Sequence, residues 1–191
     1  MRLVAGLGNP GSRYQHTRHN LGFEVIEVLS QRWRLALSKH SLGNRWGQGR
    51  IAQETVLLAQ PYNYMNRSGP PVRQLLDYFR LGAEDLLVIH DDLDVPLGRL
   101  KIVRQGGGGG HLGVSSIIQA LGTQEFSRLK AGIGRPQHGE TIEDYVLSPC
   151  YPEEAEIFNA MIERAAQAVE TILTAGVAEA MSRFHGPPPA N

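Results

Sequence analysis

Residues 3–33 read LVAGLGNPGSRYQHTRHNLGFEVIEVLSQRW, and the architecture follows from this stretch. Leu3-Val4-Ala5 suits a short buried strand, Gly6-Leu7-Gly8-Asn9-Pro10-Gly11 is a glycine-rich turn, and a polar loop holds Tyr14, His16, Thr17, Arg18, His19 and Asn20. Beyond the loop, Leu21, Val25, Val28 and Leu29 recur at three- and four-residue steps, which aligns them on one helix face. Such a strand, turn and helix place polar side chains at the carboxyl end of a strand, where open α/β sheets bind ligands. Gly6, Gly8 and Gly11 also satisfy G-x-G-x-x-G, the dinucleotide fingerprint. That motif needs a helix starting at once against the pyrophosphate, and an acidic residue closing a second strand about 20 residues on. Here the helical spacing begins only near Asn20, and no such strand follows. The glycines are instead expected to let backbone pass close to a different substrate.

Further along, residues 45–60 are expected to form a hairpin around Gln53-Glu54, stopped by Pro61, with 38–44 as loop. Ser68 is expected to cap a helix that has Pro70 and Pro71 in its first turn, Val72, Leu75, Leu76 and Phe79 on one face, and Gly82 at its close. Residues 86–89, LLVI, read as a strand buried on both faces. Residues 97–103 and 126–133 read as strands, and between them Val114, Ile117, Ile118 and Leu121 mark a helix ended by Gly122. Pro152 opens a longer helix carrying Ile157, Met161, Ala165, Val169 and Ile172 inward, ended by Gly176. A short helix over 177–184 follows, and the tail at 186–191 has nothing to bury and is expected to be disordered. The expected fold is a single α/β domain over 1–185, a mixed, mostly parallel twisted sheet with helices on both faces.

The chain has 191 residues, enough for one domain with a sizeable core, and its 41% hydrophobic and 20% charged content is ordinary for a globular protein. No apolar run reaches the length of a membrane span, and the N-terminus lacks the charged and apolar regions of a secretory signal. The single Cys150 cannot form an internal disulfide and suits a reducing cytoplasm. The formal net charge is zero, so a strongly basic nucleic-acid-binding protein is excluded. Its distribution is uneven: Arg99, Lys101, Arg104, Arg128, Lys130 and Arg135 share their region with one acid, Glu125. Glu140, Glu143, Asp144, Glu153, Glu154, Glu156 and Glu163 then follow without a Lys or Arg. A basic face for phosphates and an acidic face elsewhere would result; ordinary solvated surface is the alternative.

His90-Asp91-Asp92-Leu93-Asp94 directly follows the LLVI strand, so Asp91 emerges at a strand's carboxyl end. A carboxylate there can accept the Nδ1 proton of an imidazole from a neighbouring loop, such as His19, fixing its tautomer and stabilising the imidazolium. No G-x-S-x-G nucleophile motif is present, and a His–Asp pair without a nucleophile suits a general base acting on water. A metal is not expected: neighbours along a strand point to opposite faces, Asp92 and Asp94 read as turn residues before Pro96, and there is no H-E-x-x-H or paired C-x-x-C. Asn9 and Asn66 sit in tight turns, where local turn chemistry competes with a role in gripping substrate. The run Gly106 to Gly110 reads as a mobile flap or as backbone hugging a ligand, with His111 after it as a substrate contact. Lys101, Arg104, Lys130 and Arg135 are candidates for phosphate contacts.

The ordered set G-L-G-N-P-G, Y-x-x-T-R-H-N, Tyr64-Met65-Asn66-Arg67-Ser68-Gly69, His90-Asp91-Asp92-Leu93-Asp94 and Gly110-His111 resembles the bacterial peptidyl-tRNA hydrolase family, from Arg2 to about Arg183. The resemblance implies an esterase that cleaves peptidyl groups from the 3′ ribose of tRNA, without cofactor, as a monomer. It implies His19 as general base supported by Asp91, Asn9 and Asn66 gripping the substrate carbonyl and water, and tRNA contacts at Tyr14, Tyr64 and Asn66. The chain departs from the family at one place. The usual His-Asn-Gly reads His111-Leu112-Gly113, and the glycine loop is one residue shorter. Leu112 lacks the amide that in the family positions water and substrate, and is left to touch tRNA through backbone or packing. Reduced or rearranged catalysis is therefore expected; the alternative is a non-catalytic RNA-binding protein on the same fold.

Overall fold

The structure, a computed structural model, describes residues 1–186; the tail read over 186–191 lies outside them from Pro187 on. Strand β1 (Arg2–Gly6) sits inside a seven-stranded sheet. It runs parallel to β4 (Glu54–Pro61) on one side and to β5 (Leu86–Asp92) on the other. Helix α1 (Leu21–Arg32), β2 (Lys39–Ser41) and β3 (Asn44–Ile51) lead to β4. Helix α2 (Gly69–Phe79) then carries the chain back across β1 to β5. Strand β6 (Leu100–Val103), helix α3 (Leu112–Leu121) and β7 (Ser127–Gly132) complete the sheet in the order β2-β3-β4-β1-β5-β7-β6. The four middle strands β4, β1, β5 and β7 are parallel, and the outer pairings are antiparallel. Because the chain leaves β1 towards β4 and leaves the adjacent β5 towards β7 and β6, the carboxyl ends of β1 and β5 open a crevice, the position where such sheets bind ligands.

Alternation along β1 splits the core. Val4 joins Leu58, Ile89 and Leu129 beneath α1 and α5 (Ala155–Ala175), whereas Leu3 and Ala5 join Leu57 and Val88 beneath α2 and α3. Two short helices, α4 (Ile142–Val146) and α6 (Val177–Phe184), complete the chain. The glycines of the first turn serve this packing. A Cβ on Gly6 would stand 2.1 Å from the carbonyl oxygen of Gly22 in α1, and one on Gly22 would stand 2.3 Å from the Leu7 amide. Gly6 therefore lets a helix press on a strand; it is not held bare for a substrate.

Other expectations shift by local chemistry. Residues Lys39–Ser41, read as loop, pair as a strand with β3. The hairpin turn is Ala52-Gln53, because Ile51 pairs with Glu54; Ala52 takes φ 52°, as tight hairpin turns require. Ser68 does not cap α2: its Oγ donates to the Met65 carbonyl at 2.8 Å, and Ser116 Oγ accepts the Gly69 amide instead. Arg80, left-handed at φ 54°, closes that helix ahead of Gly82. Ile157 faces solvent, at 48% exposure, and is not an inward residue of α5. Four-residue steps overrun the 3.6-residue repeat, so the stripe drifts off the buried face by its first member. No described helix is long and apolar enough to cross a membrane.

Candidate active site

A cleft of about 700 Å³ opens over the carboxyl ends of β1 and β5, and Asn9, His19, Tyr64, Asn66, Asp91, His111 and Leu112 all line it. His19 lies on a 3-10 turn (Arg18–Asn20) that enters α1, and Asp91 is the penultimate residue of β5. His19 Nδ1 stands 2.9 and 3.0 Å from the two carboxylate oxygens of Asp91. Asp91 is 2% exposed and accepts a second imidazole: His111 Nε2 lies 3.0 Å from Oδ1. His111 Nδ1 accepts the Val114 amide at 3.3 Å and so caps α3. That acceptance leaves the His111 proton on Nε2, facing Asp91.

The charges follow from these contacts. Burial works against an ionised Asp91, yet His19 and His111 outweigh it and hold the carboxyl far below the usual carboxylate range. For His19, burial opposes protonation, but the charge and hydrogen bond of Asp91 together raise its pKa above the ordinary value. Nδ1–H donates to Asp91, so the neutral ring presents the Nε2 lone pair as its acceptor. His90 behaves differently. It points to the other sheet face, its Nδ1 donates to the Asp91 carbonyl at 2.6 Å, and burial and then the nearby His111 push its pKa well down.

Asn9 is fixed by its neighbours. Its backbone pairs with the Asn20 side chain, N–H to Oδ1 at 2.8 Å and Nδ2 to O at 2.9 Å, and its own Oδ1 accepts the Met65 amide at 2.7 Å. The carbonyl end being taken, Asn9 offers the cleft the two N–H donors of Nδ2. Asn66 stands exposed on the 3-10 turn Met65–Arg67 at the cleft's mouth. Tyr64 is 59% exposed beside it. Tyr14 does not line the cleft and packs edge-on against Tyr64, with ring centroids 6.4 Å apart.

His111, read as a substrate contact, lines the cleft and is also the second partner of Asp91. Other expectations change here. Gly109 and Gly110 do line the cleft, but the glycine run is anchored where Arg128 donates to the Gly107 carbonyl at 2.8 Å; Arg128 is 1% exposed and so is no phosphate contact. Lys130 is paired with Asp92 at 2.8 Å and Arg135 with Asp94, whereas Lys101 and Arg104 are exposed without an ion pair among the described residues. Asp92 Oδ1 accepts the Asp94 amide, the turn role read for these two acids. The ligand-capable atoms of His19, Asp91 and His111 lie within 4.8 Å of one another, a set that adjacency in sequence does not suggest. They already face each other as hydrogen-bonded pairs, so a cation there would have to displace both ring protons.

Two features went unread in the sequence. Helix α4 brings Ile142, Glu143 and Val146 to the cleft; its signal was Thr141 three residues before Asp144, whose amide the Thr141 hydroxyl accepts. Arg18 is fully buried, its guanidinium 3.8 and 4.5 Å from the ring centroids of Tyr145 and Tyr151. It donates to the carbonyls of Tyr145 and Pro149 and to Glu154 at 3.2 Å. This locks the His19 turn onto the segment after α4. No local pattern announces a partner more than a hundred residues away.

The model of the family described as peptidyl-tRNA hydrolase matches residues 3–191. The chain belongs to the peptidyl-tRNA hydrolase family. A peptidyl-tRNA hydrolase of Shouchella clausii is 44% identical over 185 residues, covering 97% of this chain and 100% of its own. One from Bacillus velezensis is likewise 44% identical, over 97% of this chain and 98% of its own. The crystal structure of peptidyl-tRNA hydrolase from Acinetobacter baumannii superposes with a TM-score of 0.93 at 34% identity, over all of this chain and 97% of that one. A peptidyl-tRNA hydrolase fold thus carries the His19–Asp91–His111 cluster at its parallel strand ends.

Proposed function

We propose that this protein hydrolyses the ester joining a peptidyl group, or any N-blocked aminoacyl group, to the 3′ ribose of tRNA, and so frees tRNA from prematurely released chains. The observation that carries this is the Nε2 of His19, turned to the cleft while Nδ1 is held by a buried carboxylate. His19 Nε2 takes a proton from water as its oxygen attacks the ester carbonyl. Asp91 stabilises the imidazolium, and Asn66 donates to the oxyanion. The C–O3′ bond then breaks, and the imidazolium returns its proton to the ribose oxygen. No bond change in this sequence calls for a cofactor or a metal.

Asn9 selects the substrate. It presents only N–H donors, which match the acyl carbonyl of a blocked amine; a free α-ammonium, itself only a donor, leaves them unpaired. Tyr64, backed by Tyr14, stacks on the terminal base of the single-stranded 3′ end. A monomer as the working form is what the family resemblance implies. Release of N-acetyl-aminoacyl groups from tRNA, beside unblocked aminoacyl-tRNA, tests the proposal. The wild type should hydrolyse only the blocked form, and His19→Ala should lose on the order of 10²–10⁴-fold while still folding. Tight tRNA binding by a wild type that releases nothing would leave a binding protein in place of the enzyme.

A further inference from the structure

Strand β1 parts from β5 just before the carboxylate that supports His19. The Leu7 amide donates to the Ile89 carbonyl at 2.9 Å. In a parallel ladder the rungs to one neighbour recur at every second residue, so the next would join the Asn9 amide to the Asp91 carbonyl. Asn9 instead gives its amide to Asn20 Oδ1 at 2.8 Å, and that rung is missing. The neighbour on the other side serves the alternate residues: the Ile133 amide, just past β7, donates to the Asp92 carbonyl at 3.1 Å. The Asp91 carbonyl is therefore left to His90, whose Nδ1 donates to it at 2.6 Å.

His90 is 2% exposed, and its Nε2 is buried with no hydrogen-bond partner among the described residues. The opposite tautomer would bury an unpaired N–H and leave the Asp91 carbonyl unpaired as well, so folding selects the Nδ1–H form. Burial first, then His111 and to a smaller degree Lys130, oppose protonation and outweigh the charge and carbonyl of Asp91. The same ring stands edge-on to that of His111, with centroids 4.7 Å apart and planes at 64°. One buried, neutral side chain thus meets Asp91 through its peptide and His111 through its ring.

We propose that His90 is a positioning residue for the reaction: its Nδ1–H stands in for the missing sheet rung and so fixes the Asp91 peptide and the carboxylate that supports His19. This rests on the esterase reading above. His90 itself touches neither substrate nor the reacting atoms. Without its bond the Asp91 peptide can turn at the strand's end. The carboxylate then loses the aim that brings its oxygens to 2.9 and 3.0 Å from His19 Nδ1. A misplacement on the ångström scale costs about 10²-fold in rate.

The test pairs imidazole nitrogen NMR of the wild type with kinetics of His90→Leu, His90→Asn and His90→Gln on N-acetyl-aminoacyl-tRNA. In the wild type His90 should carry its proton on Nδ1 throughout the pH range of the rate profile; an Nε2–H ring overturns the proposal even where no variant folds. His90→Leu, similar in volume but without a donor, should lose roughly 10–100-fold in kcat with KM little changed. Its pH midpoint should fall, because His19 loses the carboxylate that raises its pKa. Asn can place an N–H where Nδ1 stands, whereas the longer Gln reaches the place of Nε2. His90→Asn should therefore restore most of both readouts, and His90→Gln should not. A folded His90→Leu that unfolds more easily yet keeps the wild-type kcat and midpoint shows a structural role only and overturns the proposal. So does rescue by Gln equal to that by Asn. These outcomes leave the esterase in place, whereas a wild type that releases no acyl group removes the esterase reading and the proposal with it.

Discussion

Asp91 serves two imidazoles at once, and the sharing matters for the base. His111 Nε2–H donates to the same Oδ1 that His19 Nδ1 approaches at 2.9 Å. A carboxylate with a second donor is less able to favour the imidazolium than one facing His19 alone. His111→Ala should therefore raise the pH midpoint of kcat/KM, because His19 now holds its proton more firmly, and activity near neutral pH should fall. A pH–rate profile checks the direction. The same change removes the side-chain cap of α3 and should cost about 1 kcal/mol in urea unfolding. His19 and Asp91 were legible in the sequence because one follows a glycine turn and the other ends an apolar strand. The tie between Asp91 and His111 was not, since it depends on a helix start meeting a strand end across the sheet.

Helix α1 has to press on β1 for His19 to reach Asp91, and the close approach of Gly6 to Gly22 permits that. In Gly22→Ala the new Cβ would meet the Leu7 amide and the Ile89 carbonyl, 2.3 and 2.6 Å away, and backbone cannot yield as a side-chain tip would. An overpacking loss of about 1–3 kcal/mol in urea unfolding is expected. From the other side, Arg18 fastens the His19 turn through a buried ion pair with Glu154. Arg18→Ala strands that carboxylate and should cost about 3–5 kcal/mol, read by the same unfolding curve. Helix α1 could be read from apolar spacing, and α3 from apolar spacing together with Gly122 at its end. Strand β2 could not, because Lys39, His40 and Ser41 are all exposed and an edge strand with no buried face carries no alternation. The end of α2 was misplaced for a related reason: Arg80 adopts a left-handed cap for which sequence favours glycine.

Across the molecule, formal neutrality conceals separated charge. Among the described residues Lys101 and Arg104, on the β6 side, have no ion pair, whereas Lys130 and Arg135 are neutralised locally by Asp92 and Asp94. Changing both Lys101 and Arg104 to Ala should weaken tRNA binding at all sequences and flatten its dependence on salt, by about 0.7–0.9 in the logarithmic slope for each phosphate no longer neutralised. Lys130→Ala should change that slope far less; binding measured between low and moderate salt separates the two. The chemistry depends on a narrower point, that His19 Nε2 is the base and Asp91 its support. The pH dependence of kcat/KM on N-acetyl-aminoacyl-tRNA, for wild type and Asp91→Asn, tests it. The wild-type rate should rise through a midpoint above the ordinary histidine value, since the raised pKa delays the neutral form. Asp91→Asn should lose on the order of 10²–10⁴-fold, and its midpoint should fall, because the charge favouring the imidazolium is gone. An Asp91→Asn enzyme with the wild-type rate and midpoint would contradict the mechanism.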